Sequence, residues 1–111
     1  MGPLSGIRVL DFSRAIAGPY GCMVLGDLGA DVIKIESPEG DISRVEAGPS
    51  HHGENFYYLA FNRNKKGIAL DLLTQSGREA FYDLVKVSDI VWSNYRAGSM
   101  ARLGVDYDTL S

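Results

Sequence analysis

Cysteine is nearly missing from this chain. Cys22 stands alone among 111 residues, so no disulfide can close within it, and a reducing compartment fits. Long apolar runs are missing as well: none approaches the ~18 residues that a bilayer-spanning helix needs. Met1–Ser5 has no basic stretch leading into an apolar one, which argues against a secretory signal. Positive charge is not in excess. The 11 Lys and Arg against 14 Asp and Glu leave a net charge of −3, which offers no general attraction for nucleic acid or an anionic membrane. A soluble, cytoplasmic protein with neither of those partners is expected. Histidine occurs only as the adjacent pair His51-His52. Neighbouring side chains diverge, and no Cys or carboxylate spacing completes a metal site around them. No Ser-His-Asp or Cys-His arrangement is present either.

Hydrophobic residues make up 45% and charged residues 23%, the balance of an ordinary folded domain. The 13 Gly residues exceed the usual share of roughly 7%, so tight turns and close backbone approaches are expected. Four segments read as strands: 7–12, 31–36, 67–72 and 89–92. Between the first two, Pro19 suits a helix first turn. That helix runs over 19–28, with Gly21, Val24, Leu25 and Leu28 on its inner face and Gly29 as its stop. Residues 37–55 read as a long polar loop, and 56–61 fits either a helical turn or a strand. Asn62–Lys66 reads as a basic turn. A helix over 76–87 follows, capped by Thr74 or by a Ser76/Glu79 capping box, with Ala80, Phe81, Leu84 and Val85 inward. A short helix over 99–103 stops at Gly104, and Asp106 caps the start of another. Strand-helix alternation of this kind predicts an α/β fold, a mostly parallel, doubly wound sheet.

Ligands of open parallel sheets bind beyond the carboxyl ends of the strands. The loops 13–18, 37–55, 73–75 and 93–98 leave those ends. Arg63, Lys65 and Lys66 make one basic cluster, Arg96 and Arg102 a second, and such groups suit phosphate. Gly18 and Gly21 serve either close ligand approach or helix packing. The first βαβ unit invites a dinucleotide-binding reading for NAD or FAD. However, Ile16 occupies the first Gly position of G-x-G-x-x-G, and only Gly18-x-x-Gly21 remains.

Taken as a series, L-S-G-I-R-V-L-D-F-S-R at 4–14, A-G-P at 17–19 and L-G-D-L-G-A-D-V-I-K-I-E at 25–36 resemble the start of class III CoA-transferases. This is the family of formyl-CoA transferase, carnitine CoA-transferase and α-methylacyl-CoA racemase. G-D at 40–41 with Arg44, N-R-N-K-K-G-I-A-L-D-L at 62–72 and S-D-I-V-W-S-N-Y-R-A-G at 88–98 continue the likeness. So does Arg102-Leu103-Gly104.

The resemblance implies a Rossmann-like segment over 1–111, part of a larger domain, that binds coenzyme A or acyl-CoA as substrate, without metal or tightly bound cofactor. Ala15 and Ile16 match the loop at the thioester end. Leu70, Asp71, Leu72 and Leu73 match the segment lining the adenine. Asn94, Tyr95 and Arg96 match the loop beside the nucleotide, and Arg102 matches a phosphate-binding arginine. Departures are Ile16 in place of a substrate-contacting glutamine, Ser37 in place of a CoA-binding Arg, Leu73 in place of a lysine and Ala97 in place of a Pro. The activity implied is transfer of CoA between carboxylic acids through an aspartyl intermediate, with racemisation the alternative within the family. The nucleophilic Asp lies downstream in the family, so no catalytic residue is assigned here and these residues alone are expected to be inactive. The intact protein is expected to be an interlinked homodimer.

Overall fold

The protein is described by a computed structural model, which covers residues 2–15, 17–41, 44, 50–51, 54–96 and 98–111. Its centre is a four-stranded, wholly parallel sheet of order β5-β2-β1-β6. The strands are β1 (Arg8–Asp11), β2 (Asp31–Glu36), β5 (Lys65–Ala69) and β6 (Ile90–Trp92). Consecutive β1 residues Val9 and Leu10 are both fully buried. A strand buried on both faces needs helices on both sides, which is the arrangement found.

Helix α1 (Ala17–Asp27) packs on one face, where Cys22 and Ala30 meet Val9 and Val32. Helix α3 (Gln75–Val85) covers the other. There Phe81 joins Leu10, Phe12, Ile35, Leu72 and Val105, with the Phe12 and Phe81 rings edge to face at 4.8 Å between centroids. Short helices α4 (Ser99–Arg102) and α5 (Tyr107–Leu110) close the β6 side. Residues 56–61, open to either reading from sequence, form helix α2 (Phe56–Phe61). Within the stretch read as a long loop, β3 (Ser50–His51) and β4 (Glu54–Asn55) pair antiparallel. Residues 42–43, 45–49 and 52–53 of that stretch lie outside the described residues. No described helix is long and apolar enough to cross a membrane.

Several local expectations are corrected. The inner face of α1 only partly follows the expected Gly21, Val24, Leu25 and Leu28. Leu25 packs on the core and Gly21 lies against Trp92, but Val24 and Leu28 are exposed, and Gly18, Pro19, Cys22 and Met23 are buried. Small residues win because α1 lies close to its neighbours: a Cβ on Gly18 would come within 2.2 Å of the Ser13 Cβ, and one on Gly21 within 2.7 Å of the Trp92 ring. The third strand of the sheet begins at Lys65 rather than Gly67, because the Lys65 ammonium turns inward to the carboxylate of Asp11 at 2.8 Å. Thr74 caps α3 by accepting from the Gly77 N–H at 3.1 Å, and Glu79 accepts from the Gln75 amide in place of a capping box. Ala80 is exposed, while Tyr82 packs on the core and donates to the Gly104 carbonyl at 2.7 Å. Asp106 stands at the start of α5, but its carboxylate takes the Thr109 hydroxyl rather than a backbone amide.

Phe81 is the ring on which one face of the sheet closes. Phe81→Ala should destabilise the fold by about 3–5 kcal/mol, the usual cost of removing a buried aromatic side chain. Denaturant unfolding followed by Trp92 fluorescence checks it, and a change under 1 kcal/mol contradicts this packing role.

Candidate functional site

Beyond the carboxyl ends of the strands lies a groove of about 620 Å³. Its floor is apolar: Phe12 leaves β1, Ile35 is the last residue but one of β2, and Leu70 and Leu72 follow β5. Three arginines stand around it, Arg14 after β1, Arg96 after β6 and Arg102 on α4. Glu36, Glu39 and Asp71 supply the negative charges of the same lining. An apolar floor beneath separated guanidinium groups suits a ligand with a flat ring and anionic oxygens.

Leu70, Asp71, Leu72, Leu73, Tyr95, Arg96 and Arg102, expected at the site from sequence, all line this one groove. Leu73 is 79% exposed at its lip. Ala15 and Asn94 are not in the lining. Ile16 lies outside the described residues, as does Ala97. The groove also takes in Ser37, which stands where the family has a CoA-binding Arg, Leu103 of the Arg102-Leu103-Gly104 match, and Pro38, Glu39 and Ser99, which no motif marked. Their position at a strand end or on the following helix was the available signal.

The first basic cluster is corrected. Arg63 pairs with Asp27 at 2.6 Å, Lys65 with Asp11 at 2.8 Å and Lys66 with Asp31 at 3.1 Å. None of the three lines the groove. Gly18 and Gly21 likewise resolve to packing, against Ser13 with Asn94 and against Trp92.

The loop leaving β1 is held from several sides. The Arg14 N–H donates to Asn94 Oδ1 at 3.0 Å, and Asn94 Nδ2 donates to the Arg14 carbonyl at 2.9 Å. Asp41 Oδ1 accepts from the Ala15 N–H at 3.2 Å. The Ser13 carbonyl accepts from the buried Lys34 ammonium at 3.1 Å. Ala15 has φ +67°, a left-handed conformation that costs a non-glycine residue about 1–2 kcal/mol. The Arg14 guanidinium lies 4.9 Å from the centre of the Tyr95 ring. Burial raises the Tyr95 phenol above its ordinary range, with Arg14 opposing.

Glu36, at the end of β2, accepts from the Asp41 N–H at 2.6 Å, from Arg44 Nε and Nη2 at 2.8 Å each, and from the Tyr58 hydroxyl at 3.0 Å. Burial alone would raise its carboxyl. The Arg44 guanidinium, the Asp41 amide and Tyr58 outweigh burial and hold the carboxyl below its ordinary value. Cys22 offers no nucleophile: burial, with Asp11 beside it, pushes the thiol up to about 12, so it stays protonated at neutral pH. Among the described residues, no three His, Cys, Asp or Glu side chains gather to hold a metal ion.

The sequence pattern of CoA-transferase family III matches residues 4–111. The chain belongs to that family. It is 42% identical over 114 residues to the succinyl-CoA:mesaconate CoA-transferase of Haloarcula hispanica, covering 99% of this chain and 29% of that protein. It is 44% identical over 115 residues to the succinate–glutarate CoA-transferase of Agrobacterium fabrum, covering 97% of this chain and 29% of that protein. The crystal structure of a CAIB/BAIF family protein from Brucella suis superposes with a TM-score of 0.90 at 41% identity, over 98% of this chain and 30% of that one. The chain thus spans about 29% of the length of the curated relatives it matches.

Because the folded-state Glu36 carboxyl is held low, its stabilising contribution is complete above the unfolded value of roughly 4.3 and is lost as pH falls through the lowered folded value. Glu36→Gln should therefore lower stability at pH 7 by about 1–3 kcal/mol and flatten the decline below pH 5. Urea midpoints measured from pH 3 to 7 check it, and parallel curves for the two proteins would contradict it.

Proposed function

We propose that residues 1–111 are the amino-terminal CoA-binding segment of a CoA-transferase that moves CoA from succinyl-CoA to a second small dicarboxylic acid. The observation that carries this reading is the groove at the strand carboxyl ends, with Arg14, Arg96 and Arg102 around an apolar floor. Support for the acyl class comes from the names of the relatives, which pair succinyl-CoA or succinate with mesaconate or glutarate.

In this assignment Leu70–Leu73 seat the adenine, whose faces require apolar contact. Arg96 and Arg102 meet the phosphates, and the loop carrying Arg14 and Ala15 borders the thioester end. Transfer proceeds by attack of an aspartate carboxylate on the acyl-CoA carbonyl, which expels CoA thiolate and leaves a mixed anhydride; the thiolate then attacks the aspartyl carbonyl, expelling succinate and leaving an aspartyl-CoA thioester, and the second acid takes up CoA by the reverse sequence. The segment binds and orients the CoA part of the substrate, and the aspartate comes from chain beyond these residues. Racemisation of a 2-methylacyl-CoA is the competing activity of the same family, and product analysis separates the two.

Arg102 is the most direct test. Among the described residues its side chain bonds to the Ser99 hydroxyl at 3.3 Å, and its guanidinium is not tied to a carboxylate. A charge-assisted contact to phosphate contributes roughly 1.5–3 kcal/mol. Calorimetric titration of the complete enzyme with CoA should show Arg102→Ala weakening binding by about 10- to 100-fold. Arg102→Lys should recover only part, since an ammonium lacks the bidentate fork. NAD should not compete. Equal CoA affinity in all three proteins overturns the phosphate assignment. Failure of the wild type to pass CoA from succinyl-CoA to glutarate or mesaconate overturns the proposed activity.

A further inference from the structure

Asn94 follows β6, and in a resemblance to CoA-transferases it would be counted among the ligand contacts. Its geometry assigns it other work. Both ends of its side-chain amide are engaged by one residue of another loop: Oδ1 accepts from the Arg14 N–H at 3.0 Å and Nδ2 donates to the Arg14 carbonyl at 2.9 Å. Only one orientation of the amide satisfies both bonds, so the side chain is fixed, and it is not part of the groove lining. The same Arg14–Ala15 peptide is held at its other end by Asp41, which accepts from the Ala15 N–H at 3.2 Å. Both peptides flanking the Arg14 Cα are therefore fixed, and with them the direction in which the Arg14 side chain leaves the loop. The first turn of α1 presses on the same place, since a Cβ on Gly18 would come within 3.0 Å of Asn94 Cγ.

The arrangement has a consequence at the groove. Arg14 is the residue whose backbone Asn94 grips, and its guanidinium stands over the Tyr95 ring at 4.9 Å, in the lining. We propose that Asn94 is a positioning residue: it acts on the bound CoA thioester through Arg14, by fixing the two peptides from which that side chain leaves, and not by touching the ligand. This rests on the CoA-transferase reading above.

Four variants of the complete enzyme test it: Asn94→Ala, which removes both bonds, Asn94→Asp, which keeps the acceptor but sets a carboxylate against the Arg14 carbonyl, Arg14→Ala, and Asn94→Ala combined with Arg14→Ala. Hydrogen exchange is read at the Arg14 and Ala15 amides without ligand, and kcat/KM is read with succinyl-CoA. The expected result is loss of amide protection in both Asn94 single variants and a fall in kcat/KM of about 10- to 100-fold, the scale of a displaced positioning group. Residues that act through one another are not additive, so Asn94→Ala should cost little more once the Arg14 side chain is gone.

Unchanged protection in Asn94→Ala overturns the clamp. Lost protection with full activity overturns its link to the site. A further loss of about 10-fold or more on adding Asn94→Ala to Arg14→Ala overturns action through Arg14 and makes Asn94 a direct ligand contact. A wild-type enzyme that neither binds CoA nor turns over succinyl-CoA overturns the proposed function and this link with it, whereas the exchange data, taken without ligand, judge the clamp separately.

Discussion

The groove depends on a set of charges buried beneath it. Lys34 on β2 and Lys65 on β5 have side chains only 1% and 2% exposed, and each meets a fully buried carboxylate, Asp41 at 2.7 Å and Asp11 at 2.8 Å. Asn62 joins the two pairs, its Oδ1 accepting from both ammonium groups at 3.0 and 2.9 Å. Asp11 Oδ1 also takes the Ser13 N–H and hydroxyl, and Lys65 donates to the Pro19 carbonyl at the start of α1. Burial lowers the affinity of Lys65 for its proton, and the Asp11 carboxylate opposes that. Such pairs gain little over a well-packed apolar core, but removing one partner strands a charge at a cost of about 3–5 kcal/mol. What they provide here is register. Three strand-end segments and a helix start are fixed to one another by directional bonds, and the groove is the space left above them.

That constraint explains why the groove is lined by loops yet has a defined shape. The segment after β1 has its carbonyl and amide groups taken by Lys34, Asn94 and Asp41. The turn after β2 is tied back to Glu36, where Gly40 adopts φ +85° and Asp41 donates its N–H to the carboxylate. Side chains that are charged and strand-terminal thus do the work that apolar packing does deeper in the sheet. Arg14, Arg96 and Arg102 are the arginines that line the groove.

The errors of sequence reading follow from the same source. A helical wheel places Val24 and Leu28 of α1 inward, but both are exposed, and where α1 comes closest to its neighbours, at Ser13 and Trp92, it carries Gly18 and Gly21. N-R-N-K-K looks like a solvated basic turn, because lysine is rarely buried. In the fold Lys65 is interior, while Arg63 and Lys66 pair with Asp27 and Asp31 at the surface. Asn94 carries a motif's promise of ligand contact, and its bonds run to the backbone of a residue 80 positions away.

Strand and helix alternation, the parallel sheet and the strand-end location of the groove were determined by the sequence alone, because periodicity, caps and glycine stops are local signals. The placing of Leu70–Leu73 together with Tyr95, Arg96 and Arg102 followed from that, since a parallel sheet gathers strand-end loops on one edge. Only the tertiary structure decided which charged residues are buried and which face the groove. Asp11 and Lys65 are 54 residues apart in the chain, and no spacing rule relates them. Their meeting is fixed by the order in which β5, β2 and β1 lie side by side and by the helix that covers them, a property of the assembled sheet and not of any segment within it.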